Sequence, residues 1–246
     1  MIVGIIPARY ASTRFPGKPL ADLLGKTMIQ RVYEQANKSK YLDQVIVATD
    51  DERILTHVES FGGLAVMTAS GHPSGTDRCL EALHKMKSNY RYVINIQGDE
   101  PLISTDQIDE LAAILENQSI EIATQVIRVT EHELLFNPSE VKIVVNEKME
   151  ALYFSRTPIP YLKGQPEKEW HLQHTYYRHA GMYAYRTDIL EKITKLPVST
   201  LEVAESLEQL RWLQHGFKIK CMITDHESHC VDTPEDLEGI INRLKD

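Results

Sequence analysis

The chain of 246 residues has only three cysteines, Cys79, Cys221 and Cys230, far apart in sequence. Their odd number and wide spacing exclude a disulfide framework and a zinc pattern, and they fit a reducing cytoplasm. No apolar run approaches the ~18 residues of a membrane span. The run Ile2 to Ile6 is too short for the core of an export signal, and Pro7 follows it. Positive charge is in deficit. The formal net charge is −8, which argues against a general nucleic-acid surface. Glycine is sparse where nucleotide loops often need it. Gly4 and Gly17 stand alone near the start, so neither G-x-x-x-x-G-K-[ST] nor G-x-G-x-x-G is present. Internal repeats and low-complexity segments are also lacking.

What is there starts with 42% hydrophobic residues, enough for a packed core. The length suits one α/β domain, or one domain with a sizeable insertion. Ile2 to Ile6 reads as a buried strand. The loop after it holds Arg9, Arg14 and Lys18 before any acid, the first being Asp22. From Pro7 to Lys26 no helix or strand pattern is evident, and loops longer than about 12–15 residues in compact domains are functional or disordered. Pro7, Tyr10, Phe15 and Pro16 can pack, which favours function. A strand that empties into a cationic, Gly- and Pro-stiffened loop reads as a polyphosphate seat. The competing reading is a set of solvated surface cations.

Thr27 to Asn37 follows as a helix, then a strand at Gln44 to Ala48. Thr49 or Asp50 can cap a second helix that Gly62-Gly63 stops. Strand, helix, strand, helix at this spacing signals a parallel sheet. In Gly71 to Arg78, Ser74 or Thr76 can cap a helix, or the small residues can admit a planar base with Arg78 as donor. Tyr92 to Gln97 is a central strand ending in Gly98-Asp99-Glu100-Pro101. A carboxylate on such a corner can hold Mg²⁺ together with substrate phosphate oxygens, or simply cap the turn. Ser104 to Gln118 is a helix and Glu121 to Val129 a strand.

From about 138 to 186 the pattern turns antiparallel. Two strands flank the polar turn Asn146-Glu147-Lys148, and Tyr176 to Arg186 alternates again. The aromatics of this arm are satellite core, dimer surface or sugar platform. His171, His174 and His179 have no spacing that one helix face explains, and read as scattered loop histidines, with His179, beside Arg178 on a strand, left as a candidate substrate ligand. Thr200 to His215 reads as one helix ending at Gly216, with Glu208 and Arg211 at i,i+3. Thr233, Pro234 and Asp236 fall at the N-cap, N1 and N3 of a last helix. Asp232, just outside that cap, is free to complement Asp99.

These segments occur together in a known order. IPARYASTRFPGKPL (6–20), HPSGTDR (72–78), INIQGDEP (94–101), ALYFSR (151–156), YRHAGMYAYR (177–186), LEQLR (207–211) and VDTPEDL (231–237) run through the whole chain. The sequence resembles the bacterial 3-deoxy-manno-octulosonate (Kdo) cytidylyltransferases. The opening motif is shared with the wider sugar nucleotidyltransferases, and the later blocks narrow it to the Kdo enzymes. One departure is Asp77, where many members carry Glu.

The resemblance implies a Rossmann-like three-layer nucleotidyltransferase fold, with a mostly parallel sheet and an inserted antiparallel arm. It implies a single domain over 1–246, with the insertion at 138–186 serving the sugar and dimerisation. It implies transfer of CMP from CTP to Kdo, giving CMP-Kdo and pyrophosphate for lipopolysaccharide assembly, in a cytoplasmic homodimer. Arg9, Arg14 and Lys18 would face the triphosphate, with Ser12 nearby. Ser74, Arg78 and Gln97 would contact cytosine, and Asp99 and Asp232 would hold Mg²⁺. Arg156, His179, Tyr183, Glu208 and Gln209 would line the sugar pocket, an Arg and a His there holding the sugar carboxylate. Arg9, Lys18, Asp99 and Asp232 would carry the catalysis. Three rivals stand beside this reading. One is the same chemistry on sialic acid or 8-amino-Kdo, and another is a non-catalytic nucleotide-binding module. The third is a glycosyltransferase, although Asp99-Glu100 lacks the second Asp of an Asp-x-Asp motif.

Overall fold

A computed structural model of the chain describes residues 1–11, 15–86, 89–227 and 229–245. In chain order, strand β1 (Ile2–Ala8) is the opening apolar run. Strands β2 (Asp22–Leu23) and β3 (Lys26–Thr27) form a small antiparallel hairpin. Its turn residues Leu24 and Gly25 both have positive φ. Helix α1 (Met28–Ala36) starts at Thr27, whose hydroxyl accepts from the Gln30 amide. Strand β4 (Gln44–Thr49), helix α2 (Glu52–Ser60), strand β5 (Ala65–Met67) and helix α3 (Gly75–Lys85) follow. Then come β6 (Tyr92–Asn95), α4 (Thr105–Ala113), β7 (Ile122–Arg128), α5 (His132–Phe136), β8 (Lys142–Val145) and β9 (Ala151–Ser155). Helix α6 (Trp170–Gln173), strand β10 (Tyr177–Arg186) and helices α7 (Thr187–Ile193), α8 (Thr200–Glu205) and α9 (Gln209–Gln214) precede β11 (Ile219–Ile223) and α10 (Pro234–Arg243).

The contacts divide the chain into two compact units: residues 1–116, 184–194 and 228–246, and residues 117–183 with 195–227. The expected inserted arm, 138–186, falls for the most part in the second of these units. The antiparallel strands belong with what flanks them: β9 packs on α9 and β11, and Glu150 bridges to Lys220.

In the first unit the strand order is β6-β1-β4-β5, all parallel. Val3, Ile5 and Ile6 of β1 are fully buried, as expected of an inner strand of a parallel sheet. The chain builds β1, β4 and β5 outward on one side, then returns to place β6 on the other side of β1. That reversal is a topological switch point, and α/β sheets take ligands outside the carboxyl ends of the strands there. The supposed patternless stretch from Pro7 to Lys26 holds the end of β1, a 3-10 turn at Lys18–Leu20 and the β2–β3 hairpin. Leu23, Met28, Val231 and Ile240 form a buried cluster with Phe15 and Leu237 against it. It fastens α10 to the hairpin.

In the second unit β7 lies between β11 and β10, parallel to β11, and β8 pairs antiparallel with both β9 and β10. Trp170 is satellite core: it packs with Val129, Leu135 and Tyr176, and anchors an otherwise polar segment. The expected helix over 200–215 is two helices. Ser206 stands between them with φ 52, in the left-handed region. A capping box at Ser199 and Glu202 fixes the start of the first helix, and the amides of Ser206 and Leu207 close it by returning to the Glu202 carbonyl. Arg211 pairs with Glu202, at 2.6 and 2.5 Å.

Candidate active site

The site in the first unit follows from the switch point. Ile5 of β1 and Asn95 of β6 are register partners, so the loops after these strands leave side by side. Gly98 is required there. A Cβ on it would lie 2.8 Å from the Pro7 carbonyl oxygen, so only glycine lets the two chains pass. Asp99 follows on that corner.

The loop after β1 closes on itself. The Gly17 amide donates to the Tyr10 carbonyl at 2.9 Å, and the Tyr10 ring covers Gly17, which has φ 74. The Arg53 guanidinium stacks on the Tyr10 ring, 3.3 Å from its centroid, and Asp51 holds that guanidinium from below at 2.7 and 2.9 Å. Asp51 also caps α2, one residue later than expected. Arg9 is exposed at the loop mouth. Ser12 and Arg14 lie outside the described residues.

Lys18 meets both proposed metal carboxylates. Its ammonium is 2.8 Å from Asp99 and 3.7 Å from Asp232, and it donates to the Val231 carbonyl at 2.8 Å. The Val231 amide in turn donates to the Asp99 carbonyl at 2.9 Å. Val231 is fully buried in the cluster that holds α10, which sets Asp232 beside the Asp99 corner. The α10 cap is a reciprocal box: Thr233 receives the Asp236 amide, and Asp236 receives the amides of Thr233 and Asp232. Three of the four residues assigned to catalysis, Lys18, Asp99 and Asp232, therefore converge.

The donor set suits a hard cation. Two carboxylates point at one positive charge, and Mg²⁺ typically takes one or two protein carboxylates with phosphate and water oxygens completing its shell. Among the described residues no group of three or more His, Cys, Asp or Glu side chains is arranged to hold a metal. His171 and His174 lie in and after α6, and His179 lies on β10.

On the base side, Ser74 is the N-cap of α3 and also donates to Asp77 at 2.6 Å. Arg78, expected as a donor to the base, lies in the first turn of α3. It is buried, ion-paired with Asp50 at 3.0 Å, and bonded to the Thr68 hydroxyl and the Ala69 carbonyl. It ties the end of β4 to the loop before Ser74. Glu81 secures the same loop through the Ala69 amide and His72. Bonds from Lys85, Ala69 and His72 hold Glu81 down at about 2. Gln97 is half-buried two residues before Asp99.

In the second unit, Arg156 is set by main-chain carbonyls of Glu205 at 2.8 Å, Pro138 at 3.1 Å and Ser206 at 3.3 Å. The left-handed turn at Ser206 aims two of these acceptors. His179 lies among Phe154, Tyr183 and Thr124. The Thr124 hydroxyl has one proton, and it goes to the Met182 carbonyl at 2.7 Å. Its contact with His179 Nε2 at 2.8 Å is then accepted by the hydroxyl oxygen, so the ring carries its proton on Nε2 and offers Nδ1 as an acceptor. Desolvation pushes this histidine down to about 4, so it is neutral. Tyr183 is buried edge-on to Trp212 of α9. Gln209 is buried at the start of α9 and Glu208 precedes it, half-buried.

A protein-family model described as cytidylyltransferase matches residues 3–219. The 3-deoxy-manno-octulosonate cytidylyltransferase of Parabacteroides distasonis is 54% identical over 240 residues, 96% of this chain and 95% of its own. That of Thermodesulfovibrio yellowstonii is 51% identical over 240 residues, 95% of this chain and 94% of its own. The chain belongs to the 3-deoxy-manno-octulosonate cytidylyltransferases. A solved CMP:2-keto-3-deoxy-manno-octonic acid synthetase complexed with CTP superposes with a TM-score of 0.91 at 42% identity, covering 99% of this chain and 98% of that one. The 4-diphosphocytidyl-2C-methyl-D-erythritol synthase of Anaerococcus prevotii shares the fold alone, at 15% identity, a TM-score of 0.63, and coverage of 100% and 98%. The nucleotidyltransferase fold, with its mostly parallel sheet, is thus as the motifs implied. Sequence reading missed Tyr10 and Arg53 as the loop's clasp and Lys142, described below. The clasp carries no local signal. Lys142 did: it is a lone charge in the apolar run Val141 to Val145.

Proposed function

We propose that this protein transfers CMP from CTP to the anomeric hydroxyl of Kdo. The observation that carries the reading is the convergence of Lys18, Asp99 and Asp232 at the switch point, in a chain of this family. The hydroxyl oxygen bonds to the α-phosphorus, the α–β phosphoanhydride breaks, pyrophosphate leaves, and the hydroxyl proton is released. Such transfers depend on positioning and charge neutralisation, and need no covalent nucleophile. Arg9, Ser12, Arg14 and Lys18 receive the triphosphate, and the cations among them stabilise the leaving pyrophosphate. Ser74 and Gln97 meet the cytosine, while Arg78 sets the loop that carries Ser74. Asp99 and Asp232 would hold Mg²⁺, which when bound would neutralise phosphate charge and polarise the α-phosphate.

On the sugar side, the carboxylate belongs to Arg156 alone. A guanidinium suits a carboxylate, whereas a neutral His179 offering Nδ1 suits a sugar hydroxyl. Tyr183, Glu208 and Gln209 complete the sugar's surroundings. We further propose Mg²⁺ dependence, a homodimer, a cytoplasmic location and a product destined for lipopolysaccharide. No helix among the described residues is long and apolar enough to cross a membrane.

The test is pyrophosphate release from CTP with Kdo, 8-amino-Kdo and sialic acid offered in turn. Release is expected with Kdo. Release with 8-amino-Kdo or sialic acid in preference to Kdo would reassign the sugar, and none with any acceptor would leave only a binding module.

A further inference from the structure

Lys142 sits at the start of β8 with its side chain fully buried, at 0% exposure. Its register partners are Arg178 on β10 and Ser155 on β9. Directly opposed residues in a sheet share a face, so a buried lysine lies beside Arg178, itself buried. Two like charges in such a row are unfavourable, and an aliphatic side chain would fill the place more easily. Desolvation lowers Lys142 to about 8, the signature of that cost.

What the two cations hold is one turn. Lys142 Nζ donates to the carbonyls of Asn137, at 2.7 Å, and Glu140. Arg178 takes the Glu140 carboxylate at 3.1 Å, and also pairs with Glu227. Between those anchors lies Pro138, whose carbonyl accepts from Arg156 at 3.1 Å. The other two acceptors of Arg156, on Glu205 and Ser206, come from the break after α8, and the Arg156 amide meets the Glu205 carboxylate at 2.9 Å. Ser155, the residue before it, donates to the same carboxylate at 2.8 Å. A guanidinium has five N–H groups. Three carbonyls from two segments fix its plane, and the remaining N–H groups are left for an acceptor.

We infer that Lys142 is a positioning residue for the sugar carboxylate: by pinning the 137–140 turn it fixes the plane of the Arg156 guanidinium. This rests on Arg156 being the carboxylate partner. Lys142 touches no substrate; it acts through the Pro138 carbonyl.

The test compares Lys142→Met, Arg156→Ala and the double variant by pyrophosphate release, with melting temperature measured alongside. Misplacing a substrate-positioning group by about an ångström has large kinetic effects, so Lys142→Met should raise the KM for Kdo about tenfold or more. The KM for CTP should stay within about twofold, since uniform loss at one substrate is read in its own KM. The melting temperature should hold, because residues 137–139 are exposed and their carbonyls can hydrate. The double variant should be no worse than Arg156→Ala, as expected when two residues act as one unit. Lys142→Gln, which keeps a donor, should fall between wild type and Lys142→Met. An unchanged KM for Kdo in Lys142→Met, with a raised one in Arg156→Ala, would overturn the inference. Additive losses would also overturn it, as would a lower melting temperature with both substrates affected alike. If Arg156→Ala leaves the KM for Kdo unchanged, the assignment of Arg156 fails instead.

Discussion

Asp236 does for the start of α10 what would otherwise fall to Asp232. By accepting the amides of both Asp232 and Thr233, it completes the cap and leaves the Asp232 carboxylate turned to Lys18. Thr233→Ala removes half of that box and should cost about 1 kcal/mol, a loss that chemical denaturation can measure. It should also lower activity, because the cap sets Asp232; a destabilised variant with full turnover would detach the cap from the site. Asp99→Asn removes one of the two acids on Lys18. It should lose turnover by at least about 100-fold, the size of losing one electrostatic contributor, while folding normally. Near-normal Mg²⁺-dependent activity in that variant would sink the metal assignment. Lys18→Ala should cost about 3 kcal/mol of transition-state stabilisation, read as kcat/KM. A loss below about tenfold would reduce Lys18 to a counter-ion for its two acids.

The left-handed residue between α8 and α9 makes a prediction at the level of elements. Ser206 holds φ 52, where any Cβ is strained by about 1–2 kcal/mol. Ser206→Gly should therefore stabilise the fold by up to about 1 kcal/mol with the sugar KM unchanged, and a shifted urea midpoint would show it. Most elements were legible from local chemistry. Thr27, Ser74, Ser104 and Thr233 each cap the helix their position announced, and β1, β4, β6 and β7 are the apolar runs. The α8–α9 break was not, because the hydrophobic spacing runs on through Leu207 and Leu210. Of the site, the acids and Lys18 were legible as types at strand and helix ends. Their convergence depends on β1 and β6 being neighbours, which no local pattern encodes. The Arg78–Asp50 pair was not legible, because a guanidinium after small residues looks the same whether it faces a base or a half-buried Asp50.

At the scale of the whole molecule, the titrating groups shape one acid limb. Burial lowers His179 from 6.5 to about 4, so its contribution is full above pH 6.5 and is lost as pH falls through 4. Glu81, lowered from 4.5 to about 2, contributes above 4.5 and loses that as pH falls through 2. Urea midpoints should thus decline in two stages below pH 6.5. His179→Gln should flatten the first stage and leave the second; an unchanged first stage would place its cause elsewhere. The anchoring of Arg156 has a wider consequence. Its guanidinium is read by main-chain oxygens, which every amino acid supplies, so the path of the backbone matters there and side-chain identity at Pro138 matters little, while Ser206 answers chiefly to its left-handed backbone. Drift in sequence is tolerable over evolutionary time at 138, and at 206 among residues that accept a left-handed backbone. Drift in length is not: one residue inserted or deleted at 206–208 would carry the acceptors away, so this stretch should vary among descendants of the chain by substitution and almost never by gap.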